Sequence, residues 1–352
     1  MITFSDIRVE FPGFVALPSF NMEIEEGEFF TLLGPSGCGK TTALRTLAGL
    51  IDPTSGTITI DGRDVTRARS DQRQLGMVFQ NYALFPSMNV GENIAFGLRT
   101  KRLTPKEIRS KVAEVAATVD LRPEQLDKSI SDLSGGQQQR VAIARSLAPN
   151  PRLLLLDEPL SNLDAKLRQQ LRVQLKDLQQ RVGITTVYVT HDQDEALAMS
   201  DRIAVMNAGK IEQLGTPEEI YSHSATEFVC TFIGEANRLS HALLERMRDA
   251  AAPLLDPSRN SYLRSEKVRF VEPGEPDNGF TVAGTIERRS YFGANSEYVI
   301  DLGAAGTIRA RVLDDGDSRR AAGDAVKVRL HVEDVLQYDQ SGARVMYSRV
   351  AS

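Results

Sequence analysis

Apolar and polar positions along the first two-thirds of the chain switch repeatedly between two periods. Short apolar blocks predict buried strands, and stripes recurring every three or four residues predict helices. "EFFTLLG" reads as a buried strand that runs into a Gly-rich loop and then a helix through "TTALRTLAGL". "GTITIDGRDV" alternates around a turn, as a half-buried hairpin does, and "QLGMVFQ" is another short strand. From Val90 to Pro149 the strand signals vanish. There Thr104 stands as an N-cap, Pro105 occupies the first helical position and Glu107 completes a capping box, ahead of Ile108, Val112, Val115 and Val119 on one face. Strand character returns in "RLLLLDEP". A helix follows with Leu163, Leu167, Leu171, Leu175 and Leu178 on one stripe, stopped by Gly183, and then the strand "ITTVYVT" and a helix opening at Asp192. Strands alternating with helices predict a mainly parallel sheet covered on both faces.

After about Glu235 the pattern becomes short alternating strands ("GFTVAGTIERRSYFG", "EYVIDL", "TIRARVL", "DAVKVRLHVEDVLQYD") separated by Gly, Asp and Pro, with "PGEPDNG" as a surface loop. This predicts a compact β-barrel or sandwich. The fold class is therefore an α/β domain over 1–235, with a helical subdomain at about 88–150, followed by a small β-rich domain over 236–352. A chain of 352 residues suffices for two such cores. The net charge of −5 gives no broad attraction to nucleic acid, which is not expected as a partner. Two cysteines, Cys38 and Cys230, are too few for a disulfide framework and suit a reducing compartment. The start "MITFSDIRVE" is not a signal peptide, and no apolar run is long enough to span a bilayer, so a cytoplasmic protein is expected.

The strongest chemical signal is "GPSGCGKTT", Gly34 to Thr42, placed after a strand and opening a helix. That is the context in which backbone N–H groups and a helix N-terminus cradle phosphates. Gly34, Gly37 and Gly39 let the backbone wrap, with Pro35, Ser36 and Cys38 between them. Lys40 offers a point charge to the outer phosphates, Thr41 a hydroxyl to Mg²⁺, and Thr42 completes the run. The helix N-terminus tends to lower the Cys38 thiol pKa, although no catalytic role falls to it. In "LLLLDEP", a carboxylate ending a buried strand needs a neutralising partner, which makes Asp157 the metal-side residue and Glu158 the candidate base for water. "LSGGQ" holds an S-x-x-Q capping box, Ser134 with Gln137, so a helix begins there and presents its positive end; Gly135 and Gly136 leave room for close approach.

Together "GPSGCGKTT", "VFQ", "LSGGQ", "LLLLDEP", "SNLD" and "YVTHD" resemble the nucleotide-binding subunit of an ATP-binding-cassette (ABC) transporter, nearest to importers of small solutes that use an external binding protein. The resemblance spans about 2–234. It implies an ATPase that holds ATP and Mg²⁺ between two copies, with Ser134, Gly135, Gly136 and Gln137 closing over the ATP of the other copy. It further implies Gln80 as a sensor of Mg²⁺ and attacking water, His191 as the switch residue at the γ-phosphate, and Asp164 as the D-loop aspartate. Phe11 takes the adenine-stacking place, with Phe14 close by and a core position the commoner fate for either. Integral-membrane permease subunits are implied as partners, on the inner face of the membrane, with Tyr82, Leu84 and Phe85 exposed for docking. Overall likeness leans toward ferric iron or polyamine as solute, with phosphonate, sulfate and sugar as alternatives. A soluble cassette ATPase of translation or DNA repair is the rival from another class; such proteins usually carry two cassettes or a long coiled-coil insert, and this chain shows neither. A non-catalytic regulatory module is a second rival. The tail resembles the small OB-like domain appended to many such subunits. It has "LRSEKVRF" where close relatives often show an Arg-Pro-Glu run, so no ligand site is carried over.

Overall fold

The computed structural model describes residues 1–345 apart from 252–254, 273, 275, 277, 278, 315 and 317–319. Most of the "PGEPDNG" loop thus lies outside the described residues. The chain divides into two compact units, Met1–Ile220 and Tyr221–Ser352.

The first unit holds two sheets. β1 (Ile2–Phe11) and β2 (Phe14–Ile24) pair antiparallel, and β4 (Ser55–Ile60) with β5 (Arg63–Asp64) extends them in the order β2-β1-β4-β5. The second sheet joins β3 (Phe29–Leu33), β6 (Leu75–Val78), β7 (Leu153–Asp157), β8 (Thr185–Thr190), β9 (Arg202–Asn207) and β10 (Lys210–Gly215) in the order β10-β9-β3-β8-β7-β6. All its pairings are parallel except β9 with β10. The central strands are buried on both faces, and each face has its own core. Leu154, Leu156, Phe29 and Tyr188 pack with the helical insert, whereas Leu153, Leu155, Phe30 and Val187 pack with the antiparallel sheet and helix α1 (Lys40–Leu47). Alternation within one "LLLL" block thus serves two cores at once.

The insert comprises α2 (Val90–Ala95), α3 (Pro105–Thr118) and α4 (Gly135–Leu147). α3 starts at the Thr104–Glu107 capping box with Pro105 in its first turn, as the sequence predicts. α5 (Ala165–Val182) follows β7, stops at Gly183 in the left-handed conformation (φ 68°), and is followed after β8 by α6 (Gln193–Met199). A short helix, α7 (Pro217–Ser222), leads out of this unit.

The second unit contains α8 (Glu227–Phe232), α9 (His241–Ala251) and two antiparallel sheets. One joins β11 (Ala236–Arg238), β12 (Asn260–Arg264), β18 (Leu336–Tyr338) and β19 (Arg344–Val345) in that order. The other runs β13 (Arg269–Phe270), β17 (Ala325–Leu330), β14 (Phe280–Tyr291), β15 (Asn295–Asp301) and β16 (Thr307–Leu313). The unit begins ahead of the change of pattern near Glu235 because the buried Arg264 gathers the preceding segment. Its guanidinium donates to the carbonyls of Tyr221 (3.0 Å), Cys230 (3.0 Å) and Ile233, and lies over the Tyr221 ring. "LRSEKVRF" forms the end of β12, a single 3₁₀ turn and β13. Cys230 is fully buried.

Candidate functional site

The Gly-rich loop between β3 and α1 turns on Gly37 (φ 80°) and Gly39 (φ 105°), where a side chain would be strained. Gly34 is needed for a different reason: an added Cβ would sit 2.3 Å from the Met206 carbonyl oxygen. Gly39 is the N-cap of α1 and provides no side-chain cap, which leaves that helix end available to an anion. Lys40 is buried, and its Nζ donates to the carbonyls of Gly34 (2.8 Å) and Pro35 (3.0 Å). Among the described residues Lys40 forms no ion pair. A desolvated ammonium with no carboxylate in ion-pair contact, at the foot of a helix N-terminus, fits phosphate. Thr42 follows in the first turn.

The Cys38 thiol departs from the sequence expectation. It is buried, 3.9 Å from Lys40 Nζ, and burial pushes its pKa up, with the nearby Lys40 only partly offsetting this. Desolvation of the thiolate outweighs the helix end here.

β7 delivers Asp157 and Glu158 to the same end of the sheet. Thr41 Oγ1 donates to Asp157 Oδ1 at 3.2 Å, and Arg45 stands 3.7 Å from Asp157 Oδ2. Asp157 is 4% exposed, and burial raises its pKa despite those two neighbours. A buried carboxylate that its own surroundings leave short of compensation, beside a hydroxyl, suits a hard cation. Mg²⁺ needs only such a pair when phosphates and water complete its shell. Among the described residues there is no cluster of three or more His, Cys, Asp or Glu that could hold a metal ion.

Glu158 has φ 47°, a left-handed conformation rare outside glycine. Its N–H donates to Val189 O (3.0 Å), and its carbonyl accepts from Ser161 Oγ (2.9 Å). Its carboxylate meets two side chains from other segments. His191 Nδ1 lies 3.2 Å from Glu158 Oε2, and Gln80 Nε2 donates to the same oxygen at 3.4 Å and to Ser161 Oγ at 3.2 Å. Gln80 comes from the end of β6 and His191 from the end of β8, so three neighbouring strands converge on one carboxylate. Asn162 Nδ2 adds a bond to the Gln80 carbonyl at 2.9 Å.

Among the described residues, the other predicted ones form no hydrogen bond or ion pair with Glu158. Ser134 and Gln137 form the capping box at the start of α4, with Gln137 N to Ser134 Oγ at 3.4 Å and Ser134 N to Gln137 Oε1 at 3.0 Å. Gly135 and Gly136 face inward. A Cβ on Gly135 would meet Leu163 at 3.0 Å, and one on Gly136 would meet Leu171 and Leu167 at 3.2 and 3.3 Å. Close packing of α4 on α5 therefore accounts for Gly136, beyond the ligand access that the sequence suggests. Asp164 caps α5 through Leu167 N at 3.0 Å. Phe11 and Phe14 face each other at the β1–β2 turn and are 40% and 59% exposed, so neither is a core residue.

The expected exposed cluster after Gln80 needs correction. Tyr82 is buried, and its hydroxyl donates to Pro159 O at 3.2 Å. Leu84 packs against the core of the insert, and Phe85 is half-buried beneath Arg145 and beside Phe96, which is the exposed member of that pair. Sequence reasoning missed Arg145, whose guanidinium donates to Ala83 O (2.7 Å) and Tyr82 O (2.8 Å). These carbonyls belong to two successive left-handed residues, and nothing in a linear pattern marks such a turn.

Comparison with known proteins accords with this arrangement. A family model for ABC transporters matches residues 17–161, and one for the TOBE domain matches residues 262–336. The chain is 47% identical over 332 residues to the spermidine/putrescine import ATP-binding protein of Acidothermus cellulolyticus, covering 89% of this chain and 86% of that one. It is 46% identical over 310 residues to the Fe(3+) ions import ATP-binding protein of Rhizobium etli, covering 85% and 87%. Among solved structures it resembles cbiO1 from Clostridium perfringens, part of an ABC transporter complex (TM-score 0.58, 32% identity, 62% of this chain and 89% of that one). It also resembles a dimeric post-hydrolysis state of the ATP-binding cassette MJ0796 bound to ADP and Pi (TM-score 0.55, 33% identity, 62% and 99%). A phosphate loop, a strained carboxylate met by Gln80 and His191, and relatives alike over most of their length place the chain in one group: it belongs to the family of ABC-transporter import ATPases and carries a TOBE domain.

Proposed function

We propose that this ATPase works as a pair of identical subunits on the inner face of a membrane, with ATP·Mg²⁺ held between the two copies, and powers uptake of a polyamine or ferric iron through permease subunits supplied by an external binding protein. The observation that carries the chemistry is the convergence of Gln80 and His191 on Glu158, one residue beyond Asp157. Glu158 takes the proton of the attacking water, Gln80 and His191 orient that water and the γ-phosphate, and Lys40 with the α1 N-terminus stabilises the charge that spreads over the transferring phosphoryl group. Thr41, Asp157 and Gln80 would hold Mg²⁺, which supplies charge neutralisation at the phosphate oxygens. The exposed Phe11 offers a face for adenine.

The pairing of copies is supported by the dimeric state named for the cassette MJ0796. The solute class rests on the relatives, whose names divide between spermidine/putrescine and Fe(3+). No helix among the described residues is long and apolar enough to cross a membrane, so the path itself is assigned to other subunits. Phe96, exposed beside Phe85, is the better candidate for permease docking than Leu84, because its side chain is free of the core.

The test is Glu158→Gln. Turnover is expected to fall at least ~100-fold, the loss of a general base, while ATP binding persists and ATP accumulates a stable dimer on a sizing column. Near-normal turnover would remove Glu158 from this role.

A further inference from the structure

Arg168 sits in the first turn of α5, where the helix dipole disfavours a cation, and no acidic residue of that turn offsets it. The compensation comes from a different segment. Arg168 Nη1 lies 3.4 Å from Asp192 Oδ2, and Nε lies 3.9 Å from Glu195 Oε1. Nη2 donates to Leu163 O at 3.0 Å, on the loop that ends at Asp164. Glu195 is 3% exposed and accepts from Tyr188 Oη (2.6 Å) and Thr190 Oγ1 (2.7 Å). Thr190 Oγ1 in turn accepts from Asp192 N at 3.0 Å, and Asp192 Oδ1 accepts from Glu195 N at 3.1 Å. His191 is thus framed on both sides, by Thr190 and by Asp192, while its own ring stays 54% exposed against Glu158.

We infer that Arg168 is a positioning residue that ties the 161–164 loop, through Leu163 O, to the Asp192 side chain and, by way of Glu195, to the Thr190 side chain on either side of His191, so that the position of that loop sets the reach of His191 toward Glu158. This rests on the roles of Glu158 and His191 proposed above. The arrangement is more than a surface ion pair, because one guanidinium spans three partners on two segments and Glu195 is desolvated. Arg168 Nε is buried and lacks a hydrogen bond, at 3.9 Å from a carboxylate oxygen. The same guanidinium holds the loop through Nη2 to Leu163 O, so movement of Arg168 toward or away from Glu195 is coupled to that contact.

The experiment uses the full chain with four variants: Arg168→Met, Arg168→Lys, Asp192→Asn, and Arg168→Met combined with Asp192→Asn. Asn keeps the α6 cap while removing the charge. Affinity for a fluorescent ATP analogue and steady-state ATPase kcat are measured for each. Arg168→Met is expected to lower kcat about tenfold or more, since small misplacements of a catalytic group are costly. Its Kd should stay within about twofold, because the phosphate loop is untouched. Arg168→Lys should recover part of kcat, and the double variant should be no worse than the poorer single one. Unchanged kcat in Arg168→Met overturns the inference. So does a joint loss of kcat, affinity and Tm without recovery in Arg168→Lys, or additive losses in the double variant. Should Arg168→Met fail to fold, Arg168→Lys and Asp192→Asn carry the same kcat-against-Kd comparison. Glu158→Gln run alongside separates the two readings: normal turnover there defeats the assignment of Glu158, whatever Arg168 does.

Discussion

Asp157 shows how burial can set the energetics of a single residue. Its carboxyl is buried, and its pKa lies above the ordinary 3.8, so the native state binds a proton more tightly than the unfolded chain. Stability from this group is therefore greatest when it is protonated and declines as pH rises from about 3.8 through the raised native value. The ionised carboxylate is the form that its buried surroundings penalise. Asp157→Asn should consequently raise Tm at pH 7 in the presence of a chelator, with the gain shrinking as pH approaches the carboxylate range. The same variant should lose the extra stabilisation that Mg²⁺ adds to ATP. Thermal melts at two pH values check both, and a lower Tm for the ligand-free variant would show that the carboxylate is compensated after all. Glu158, its neighbour, is specialised by backbone strain rather than by burial, since a left-handed residue costs about 1–2 kcal/mol and must be held by its surroundings.

Elements show a second kind of specialisation, in which helix ends and close helix contacts are decided by distant side chains. α1 ends near Gly49, where a Cβ would meet Arg73 Nε at 2.7 Å. The buried Arg73 guanidinium donates to the carbonyls of Thr46 and Leu47 at 2.7 Å each, answering acceptors that a helix end leaves open. α4 and α5 meet through Gly136 against Leu167 and Leu171. Gly136→Asp should therefore push a carboxylate into leucine methyl groups and cost roughly 1–3 kcal/mol of stability, whatever it does to ATP. Chemical denaturation measures this, and an unchanged midpoint would place the side chain in solvent instead. Ser134→Asp is the cleaner probe of that helix end, since Asp caps as well as Ser while adding a negative charge at an exposed position.

For the whole molecule the decisive question is whether the start of α4 serves its own phosphate loop or that of a second copy. In the proposed sandwich Lys40→Ala would weaken one half of a site and Ser134→Asp the other, so each homodimer would hold two damaged sites. A mixed dimer would hold one site damaged twice and one intact, and random pairing of equal amounts gives about half mixed dimers. Mixing the variants should restore tight ATP binding at one site per mixed dimer. If mixed dimers form and no binding returns, α4 acts within its own chain and the sandwich is excluded. The second unit enters this picture with its own core, centred on residues such as Tyr298, Ile300 and Val328, and with Arg264 as a separate polar hub. The contacts that assemble the cluster at Glu158 come from residues of the first unit.

Local chemistry determined a good deal of this protein in advance. The phosphate loop, the strand ending in Asp157, the capping boxes at Thr104 and Ser134, and the stop at Gly183 are contiguous stretches whose preferences act within a few residues, so they are legible in a line of sequence. The parallel sheet was legible too, because its central strands are buried on both faces and read as continuous apolar runs. The β1–β2 pair escaped, since the register shift between Phe4 and Ile7, with Asp6 at φ 49°, breaks the two-residue alternation. α9, though amphipathic, was hidden inside a stretch otherwise read as strands. Only the tertiary structure decided that Tyr82 turns inward, that Gly136 packs on leucines, and that burial raises the Cys38 pKa. Only it brought Gln80, Glu158 and His191 together, and with them Arg168 and the carboxylates around His191. Each of these depends on which distant side chain fills the neighbouring space, and such a neighbour is chosen by packing of the whole unit rather than by any residue nearby in the chain.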